Sequence, residues 1–357
     1  MDKAPRIAFV TGFPGFIAER LVARLAREVD YFYLLVQPQF AEGARRSVSS
    51  IAANSKATAS RFDIVEGDIT APDLGLSAGD LQNVRSGVTE VFHLAAVYDL
   101  AVPKDVAYAV NLDGTRNVNE FARSLPLLER YNYISTCYVA GKRTGRILET
   151  DLEHDAGFRN HYEETKYLAE MEVEKLKAEL PVTIFRPSVV VGDSKTGETA
   201  KYDGIYSLIN YLRRAPNLLR LINVGNRDVK LNLVPVDFVV EGIAALSSDE
   251  DALGKTIALA DPDPLATSEL FDAIAGNLSG KESVLTPPAK LTEWALMLPV
   301  SPAISGLPHP SVPYFFLDQT YDTSIADELL SKHRVACPNF QDYVGNLLRF
   351  VEIHPKL

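Results

Sequence analysis

Three side chains in this sequence have the types and the spacing needed to pass a proton to a carbonyl oxygen. Tyr162 and Lys166 lie four residues apart at the start of a helical pattern, so their side chains share one face of one helix. A free phenol titrates near ~10, and a lysine ammonium one turn away is expected to lower that pKa. Thr136 follows a strand-like segment and could hold the same oxygen with its hydroxyl. The pattern predicts general acid catalysis by Tyr162.

The segments around these residues predict a parallel sheet. Short apolar runs alternate with longer stretches of helical periodicity in the first half of the chain, which is typical of βαβ units. Right-handed crossovers bring the carboxyl ends of such strands to one edge of the sheet, where ligands bind. The predicted strands cover residues 6–11, 31–36, 62–66, 90–94, 131–135 and 182–185.

A glycine-bearing turn joins the first predicted strand to the first predicted helix. Gly12 would permit the tight turn, Gly15 would let backbone amides approach a pyrophosphate, and Ala18 would allow close packing of the helix on the sheet. The diphosphate of a dinucleotide would lie at the positive end of that helix. The predicted cofactor-binding residues of this turn are Thr11, Gly12, Phe13, Pro14, Gly15, Phe16 and Ile17.

Two further strand ends are expected to line the same cofactor. Asp68 and Ile69 follow the third strand, where the Asp68 carboxylate could accept a hydrogen bond from the adenine amino group. Leu94, Ala95 and Ala96 follow the fourth strand, and the small residues among them leave room for a nucleotide. Taken with the glycine turn, these positions predict a dinucleotide site on an α/β fold with a Rossmann-type doubly wound parallel sheet.

The end of the second strand bears on the choice between NAD and NADP. An acidic residue there would bind the ribose 2′-hydroxyl and select NAD, but this sequence has Gln37 at that place. Arg45 and Arg46 follow, and a guanidinium pairs well with a 2′-phosphate. The alternative is that both arginines are solvated on a surface helix. We expect NADP(H) to be favoured over NAD(H).

The order of these motifs resembles the extended short-chain dehydrogenase/reductase family. The segments T-G-x-x-G-x-x-A, H-L-A-A, S-T-x-Y-V-x-G, Y-x-x-T-K and R-P-S follow one another over residues 6–192. The resemblance implies that Thr136, Tyr162 and Lys166 form the catalytic set, and that Asn111 serves structure or a proton relay. It also implies cofactor contacts by Tyr162, Lys166, Pro187, Ser188 and Val189.

Within that family the sequence looks most like the thioester reductase and fatty acyl-CoA reductase branch. Sugar-nucleotide epimerases and dehydratases usually carry an asparagine where Ser188 stands, whereas the reductase branch commonly has an arginine near the position of Gln37. The resemblance implies an NAD(P)H-dependent oxidoreductase that reduces a carbonyl or acyl thioester of a hydrophobic substrate, with Tyr162 as acid and base. Two alternatives stay open: a sugar-nucleotide epimerase or dehydratase with tightly bound NAD, and a non-catalytic dinucleotide-sensing regulator.

The second half of the chain differs from the first. Pro and Gly become more frequent after Arg186, and the clearest patterns are helices near 236–248, 267–279 and 340–352. We therefore expect a dinucleotide-binding domain with the catalytic residues over 1–186. Residues 187–357 would form mainly a smaller, mostly helical substrate-binding lobe, with some segments returning to the Rossmann core. The Pro-rich stretch 286–313 predicts a loop or substrate flap.

Composition excludes several other functions. A net charge of −11 argues against nucleic acid as a partner, because phosphate binding needs a basic surface. The two cysteines and six histidines show no metal-ligand spacing, and Cys137 is expected to be structural. The acidic run 149–155 predicts a solvated loop. We find no signal peptide and no apolar window long enough to span a membrane, so we expect a cytoplasmic protein and leave a homodimer open.

Overall fold

The computed structural model describes residues 5–55, 57–214, 222–280, 283–299, 301 and 309–356. The strands in this part of the chain are β1 (Ile7–Thr11), β2 (Tyr31–Val36), β3 (Phe62–Glu66), β4 (Glu90–His93), β5 (Arg130–Ile134), β6 (Gly145–Ile147), β7 (Val182–Pro187), β8 (Val189–Val191), β9 (Leu233–Pro235), β10 (Thr256–Leu259) and β11 (Gln319–Tyr321). Seven of them form one parallel sheet in the order β3-β2-β1-β4-β5-β7-β10. The order reverses between β1 and β4, as in a doubly wound sheet.

Helices cover both faces of this sheet. The helices of the described residues are α1 (Phe16–Leu25), α2 (Ala41–Ser55), α3 (Ala78–Gly87), α4 (Lys104–Ala107), α5 (Gly114–Arg123), α6 (His161–Leu176), α7 (Ile205–Arg214), α8 (Val236–Leu246), α9 (Thr267–Ser279), α10 (Ala289–Leu296), α11 (Ser324–Lys332) and α12 (Phe340–Ile353). A π-helical segment, Tyr108–Asp113, joins α4 to α5. None of the helices described here has both the length and the apolar character that crossing a bilayer requires.

The alternation of side chains along the strands produces two separate cores. On β1, Ala8 and Val10 pack with α1, α2, α8 and α11, whereas Phe9 packs on the other face with α3, α5 and α6. Because both faces are covered, the strand is apolar at every interior position and the exposed fraction of all three side chains is 0%. The predicted Rossmann-type α/β fold is confirmed by this architecture.

A third core belongs to the C-terminal half of the chain. It joins α7, α9 and α12 with residues of the 3₁₀ segment His309–Phe315. By contrast, α8 and α11 pack on the large sheet, and β10 is the edge strand of that sheet beside β7. Segments after residue 187 thus return to the Rossmann core, while the functional division at residue 186 stays a prediction.

Some expectations differ from the structure. The large sheet contains β10, a strand that the sequence patterns did not predict. Part of the stretch 286–313 is the helix α10 rather than a loop, whereas residues 300 and 302–308 lie outside the described residues. The acidic run 149–155 is not uniformly solvated, because Glu149 is 2% exposed. Its carboxylate accepts hydrogen bonds from three backbone amides, those of Ala258, Ile325 and Ala326.

Candidate active site

In the turn after β1, the positions of Gly12 and Gly15 have no room for a side chain. Gly12 has φ +86°, and a Cβ added to it would lie 2.8 Å from the backbone nitrogen of Ala95. A Cβ added to Gly15 would lie 2.7 Å from the carbonyl oxygen of Gly12. Helix α1 begins at Phe16, directly after the turn, and its first amides have no acceptor inside the helix. A narrow turn that ends on a positive helix terminus fits the diphosphate of a dinucleotide.

Some side chains predicted to contact the cofactor at this turn are buried instead. Phe13 is 3% exposed and packs in the core on the α1 face of the sheet. Thr11 is buried, and its hydroxyl oxygen accepts a hydrogen bond from the Ala95 amide at 3.1 Å. Pro14, Phe16 and Ile17 are partly exposed, as a cofactor contact requires.

His93, the first residue of the H-L-A-A motif but not one of the predicted site residues, is buried and joins the turn to its neighbours. His93 Nδ1 lies 2.8 Å from the Thr11 hydroxyl and Nε2 lies 3.1 Å from the Thr115 hydroxyl. Thr115 donates its own proton to the carbonyl oxygen of Asn111 at 2.7 Å, so Nε2 of His93 must be the protonated nitrogen. Burial, together with the nearby charge of Lys166, lowers the pKa of His93 to about 3 and keeps the ring neutral.

The ends of β2 and β3 form the other end of the candidate cofactor site. Gln37 donates its side-chain amide to the Asp68 carboxylate at 2.7 Å. Burial alone would raise the pKa of Asp68, but hydrogen bonds from Thr70 and Gln37 outweigh it and lower that pKa. Arg45 lies nearby, with its guanidinium 3.7 Å from Glu66 and largely exposed. An exposed pair of this length is weak, so Arg45 is available to another anion.

Other predicted cofactor residues lie at the same edge with different exposures. Ile69 is buried and packs with the core on the α5 face, so its backbone rather than its side chain faces the edge. Leu94, Ala95 and Ala96 are partly exposed directly after β4. The backbone of Leu94 and Ala95 approaches Gly12 closely, so it leaves no room for a side chain at residue 12.

Tyr162 and Thr136 meet where β5 ends and α6 begins. Tyr162 stands in the first turn of α6, whose N-terminus is capped by Asn160 accepting the Glu163 amide at 3.0 Å. Thr136 accepts the Tyr138 amide at 3.2 Å, which fixes its hydroxyl at the strand end. Burial raises the pKa of Tyr162 to about 12, although a hydrogen bond with Thr136 opposes the rise. Two hydroxyl groups therefore point to one place, and the phenol is protonated at neutral pH.

Lys166 is buried beneath this pair, with 3% exposure. Its ammonium donates to the Tyr133 hydroxyl and to the Ile134 carbonyl oxygen, both at 2.9 Å. Burial lowers the pKa of Lys166 to about 8, against the opposing charge of Glu170. The expectation that Lys166 lowers the pKa of Tyr162 is not met in this structure, because the ammonium is held by β5 and burial dominates at the phenol.

Asn111 lies in the π-helical segment, and both the oxygen and the nitrogen of its side-chain amide form hydrogen bonds. Its Oδ1 accepts the Val97 amide at 2.8 Å, and its Nδ2 donates to the Val97 carbonyl at 3.0 Å and to the Thr165 hydroxyl at 3.1 Å. The residue is 1% exposed. It therefore fixes the segment after β4 against the helix that carries Tyr162.

The residues predicted to line the nicotinamide lie between β7 and β8. Pro187 ends β7 and Val189 begins β8, so both are placed at the carboxyl edge of the large sheet. Ser188 is 9% exposed and donates its hydroxyl to Asn232 Oδ1 at 2.6 Å. The glycine turn, Thr136 and this segment thus follow the ends of β1, β5 and β7 along one edge.

Two tyrosines at this edge make contacts that could not be found from spacing in the sequence. Tyr98 is 49% exposed, and the Lys201 ammonium lies 4.4 Å from the centre of its ring. Tyr314 donates its hydroxyl to Glu163 at 2.5 Å and accepts from the Asn160 amide at 2.8 Å. Each contact joins a segment from the second half of the chain to the neighbourhood of Tyr162, so only the folded chain reveals it.

Cys137 has a structural environment, and three apolar side chains of the second half of the chain differ in exposure. Cys137 is buried, its thiol donates to the Arg186 carbonyl at 3.2 Å, and burial raises its pKa. Trp294 and Met297 are 62% and 48% exposed, so neither side chain is buried in a core. Phe315 packs in the C-terminal core. Across the described ranges, no group of three His, Cys, Asp or Glu side chains is arranged to hold a metal ion.

Fold and motif order together are those of an extended short-chain dehydrogenase/reductase. More particularly, the chain belongs to the NAD-binding family described as male sterility protein, whose model matches residues 10–243. The resemblance stated from the motifs is confirmed by this match.

Two relatives illustrate the range of similar proteins. The fatty acyl-CoA reductase wat of Drosophila melanogaster is 26% identical over 277 residues, which cover 68% of this chain and 54% of that protein. A linear gramicidin synthase chain of Brevibacillus parabrevis is 26% identical over 278 residues, covering 75% of this chain and 5% of that protein. The chain thus spans about half the length of that fatty acyl-CoA reductase and a small part of the synthase.

Solved structures share the fold. The terminal R domain from the myxalamid PKS-NRPS biosynthetic pathway superposes with a TM-score of 0.84 at 24% identity, covering 100% of this chain and 93% of that one. UDP-glucuronic acid 4-epimerase from Bacillus cereus superposes with a TM-score of 0.67 at 20% identity, covering 97% and 99% of the two chains. At these identities the likeness shows the fold alone.

Proposed function

We propose that this chain is an NADPH-dependent reductase acting on the carbonyl or acyl thioester of a hydrophobic substrate. The observation that carries the proposal is the convergence of the Tyr162 and Thr136 hydroxyls beside buried Lys166, at the edge where the glycine turn lies. A relative named as a fatty acyl-CoA reductase supports an acyl substrate.

The proposed cofactor site rests on how well the described residues would fit a dinucleotide. The turn through Gly12 and Gly15 and the first amides of α1 would hold the diphosphate, and Asp68 would face the adenine. We favour NADPH because Gln37 rather than an acid follows β2, and because Arg45, which is exposed and 3.7 Å from Glu66 at the end of β3, could pair with a 2′-phosphate. Bound at this edge, the nicotinamide would supply the hydride.

Tyr162 would supply the proton, and Thr136 would help to align the substrate oxygen. A substrate oxygen placed between the Tyr162 and Thr136 hydroxyls would accept a hydrogen bond from each. As negative charge develops on that oxygen, the O–H bond of Tyr162 breaks and the proton passes to it. The hydride adds to the carbonyl carbon, so a ketone or aldehyde becomes an alcohol. An acyl thioester gains the same hydride and proton, and loss of the thiol then leaves an aldehyde.

The test follows nicotinamide absorbance when purified protein meets NADPH or NADH with long-chain acyl-CoAs, aldehydes and ketones. Tyr162→Phe removes the proton donor and should lower kcat by about 10²-fold or more. Tyr167→Phe is the matched control, because Tyr167 lies on the same helix with its ring against His154 and Phe158. That variant should keep full activity.

Other results would overturn the proposal. Oxidation of neither nucleotide, with NAD found bound to the purified protein, would support a sugar-nucleotide epimerase or dehydratase. Nucleotide binding without turnover on any substrate would support a dinucleotide-sensing regulator. Equal activity of Tyr162→Phe and Tyr167→Phe would remove Tyr162 from the mechanism.

A further inference from the structure

A buried ion pair lies next to Lys166 on the side away from Tyr162. Glu170 is 0% exposed and Arg186 is 4% exposed. Arg186 donates from Nε and Nη2 to Glu170 Oε1 at 2.9 and 2.5 Å. Since Glu170 follows Lys166 by four residues on α6, the carboxylate stands one helical turn beyond the ammonium. The reaction proposed above makes no use of either member of the pair.

The second oxygen of Glu170 binds a different strand. Ser135 donates its hydroxyl to Glu170 Oε2 by a short hydrogen bond, and Ser135 directly precedes Thr136. Arg186 directly precedes Pro187 and also donates from Nη1 to the carbonyl oxygen of Glu149 at 3.1 Å. One carboxylate therefore connects the ends of β5 and β7 with the helix that carries Tyr162 and Lys166.

Such a pair is not explained by stability alone. Removing two charges from water costs several kcal/mol per ion, and well-packed apolar residues of similar volume often stabilise a core as well or better. Ionic groups retained in an interior therefore call for another role. Here each of the four hydrogen bonds has one end on Ser135 or Arg186, which directly precede the candidate site residues Thr136 and Pro187.

We propose that Glu170 is a positioning residue of the reductase site, whose carboxylate acts on Lys166 from one helical turn away and whose hydrogen bonds fix the Thr136 and Pro187 strand ends relative to α6. The inference rests on the proposed function for its catalytic consequence. The part that concerns the charge of Lys166 can be measured without any turnover.

Electrostatics give the direction of the expected effect. Burial lowers the pKa of Lys166 to about 8, and the charge of Glu170 is what opposes that lowering. Replacing Glu170 by a neutral residue would also leave the Arg186 guanidinium buried without its counter-ion. Other titratable groups near Lys166 or the pair are His93 on β4, Tyr133 on β5, Cys137 after β5, Glu149 before β7, and Tyr162 and Glu174 on α6.

The experiment is an NMR titration of the Lys166 side chain in protein carrying ¹³C-labelled lysine, with the signal assigned by its loss in Lys166→Met. In Glu170→Gln the midpoint should fall by about one pH unit, the usual effect of removing a neighbouring opposite charge. Glu170→Asp, which keeps the charge, should restore most of the shift. Glu90→Gln is the matched control, because Glu90 forms a buried two-contact pair with Arg6 at the amino-terminal edge of the sheet. It should leave the Lys166 midpoint unchanged.

A second measurement tests the catalytic part. The alkaline fall of kcat/KM should move to lower pH in Glu170→Gln by the same amount as the NMR midpoint, and it should not move in Glu90→Gln. An unchanged Lys166 midpoint in folded Glu170→Gln overturns the inference. A shifted midpoint without any reductase activity in the wild type would uphold the charge role and refute the proposed function instead.

A second variant is used if the Glu170→Gln protein does not fold. Glu170→Gln combined with Arg186→Met removes both charges, so it leaves no buried ion unpaired. The Lys166 midpoint should again fall, because the opposing carboxylate is gone. A midpoint equal to that of the wild type in the double variant would show a purely structural pair.

Discussion

At the scale of single residues, the site combines two groups whose neutral forms are both favoured by burial. Burial raises the pKa of Tyr162 to about 12 and lowers the pKa of Lys166 to about 8. A phenol that keeps its proton can donate it to the oxygen of the carbonyl group that is being reduced. A lysine that titrates near 8, however, loses its charge within the range where enzymes are assayed. The pH limit of the reaction is therefore expected from Lys166 and not from Tyr162.

We predict that kcat/KM for reduction falls as the pH rises through about 8. Lys166 is charged below that value and neutral above it, whereas Tyr162 stays protonated up to about 12. Initial rates measured with NADPH on both sides of this pH give the midpoint. Lys166→Arg keeps its charge throughout, because a guanidinium does not titrate here. Its rate should be lower but without the alkaline fall, and an identical fall in that variant would contradict the assignment.

Residue 37 is predicted to set the cofactor preference. Gln37→Asp adds a negative charge beside Asp68, at the place where an acid selects NAD. The dissociation constant for NADPH should rise roughly tenfold or more, about 1.4 kcal/mol per factor of ten, while that for NADH changes little. Isothermal titration calorimetry with both nucleotides measures this. Gln82→Asp adds the same charge to the exposed surface of α3 and should change neither constant.

At the scale of elements, the π-helical segment Tyr108–Asp113 interrupts the α-helical structure between α4 and α5. Such segments are rare and recur at functional sites. Here the segment carries Asn111, whose amide is fully hydrogen-bonded to Val97 and Thr165. It therefore determines where the backbone after β4 runs relative to α6.

Asn111→Ala should lower the free energy of unfolding by about 2–4 kcal/mol, because it leaves several buried polar groups without partners. Hydrogen exchange at the Val97 amide should become faster in the same variant. Asn117→Ala is the control, since its amide makes one bond, to the Ile69 carbonyl at 2.7 Å, and is partly exposed. Denaturant unfolding of the two variants decides the matter. Equal losses would mean that Asn111 contributes no more than an ordinary side chain.

Elements with a regular pattern could be predicted from the sequence, and those defined by distant partners could not. The strand 62–66 and the helix 267–279 have the bounds that their periodicity predicts. β10, with the sequence TIAL, escaped prediction, and the pairing that places it in the sheet is with β7, more than seventy residues earlier. The site itself shows the same division. Tyr162, Lys166 and Gly12 follow from spacing, whereas the partners of Lys166 lie on β5, more than thirty residues earlier.

At the scale of the whole molecule, Glu149 connects parts that are far apart in the chain. Its carboxylate accepts the Ala258 amide of β10 at 2.7 Å and the Ile325 and Ala326 amides of α11 at 2.5 and 3.2 Å. Burial raises its pKa to about 7 in spite of these hydrogen bonds. An acidic run predicts solvent exposure unless its partners are known, and here they come from more than one hundred residues later.

Stability should depend on pH through this carboxyl group. The folded chain holds the Glu149 proton more tightly than the unfolded chain, so its contribution is complete below the ordinary value of 4.5 and is lost as the pH rises to about 7. At ~1.36 kcal/mol per unit, the loss amounts to about 3 kcal/mol. Denaturant unfolding across this range, compared with Glu149→Gln, isolates the effect. A constant difference between the two proteins would show that Glu149 does not titrate there.

The pairing of β6 with β11 has a consequence for synthesis on the ribosome. Gly145 lies opposite Gln319 and Ile147 opposite Tyr321, so this small parallel sheet joins the middle of the chain to a segment near its carboxyl end. Residues 145–147 are translated long before their partner strand exists. The large sheet can gain β1 to β5 as they emerge, but the segment between Gly141 and Glu149, next to Thr136, can reach its final place only after residue 326 has been made. A nascent chain would therefore form the carboxyl ends of β1 to β5 well before the segment that follows Thr136 is in place.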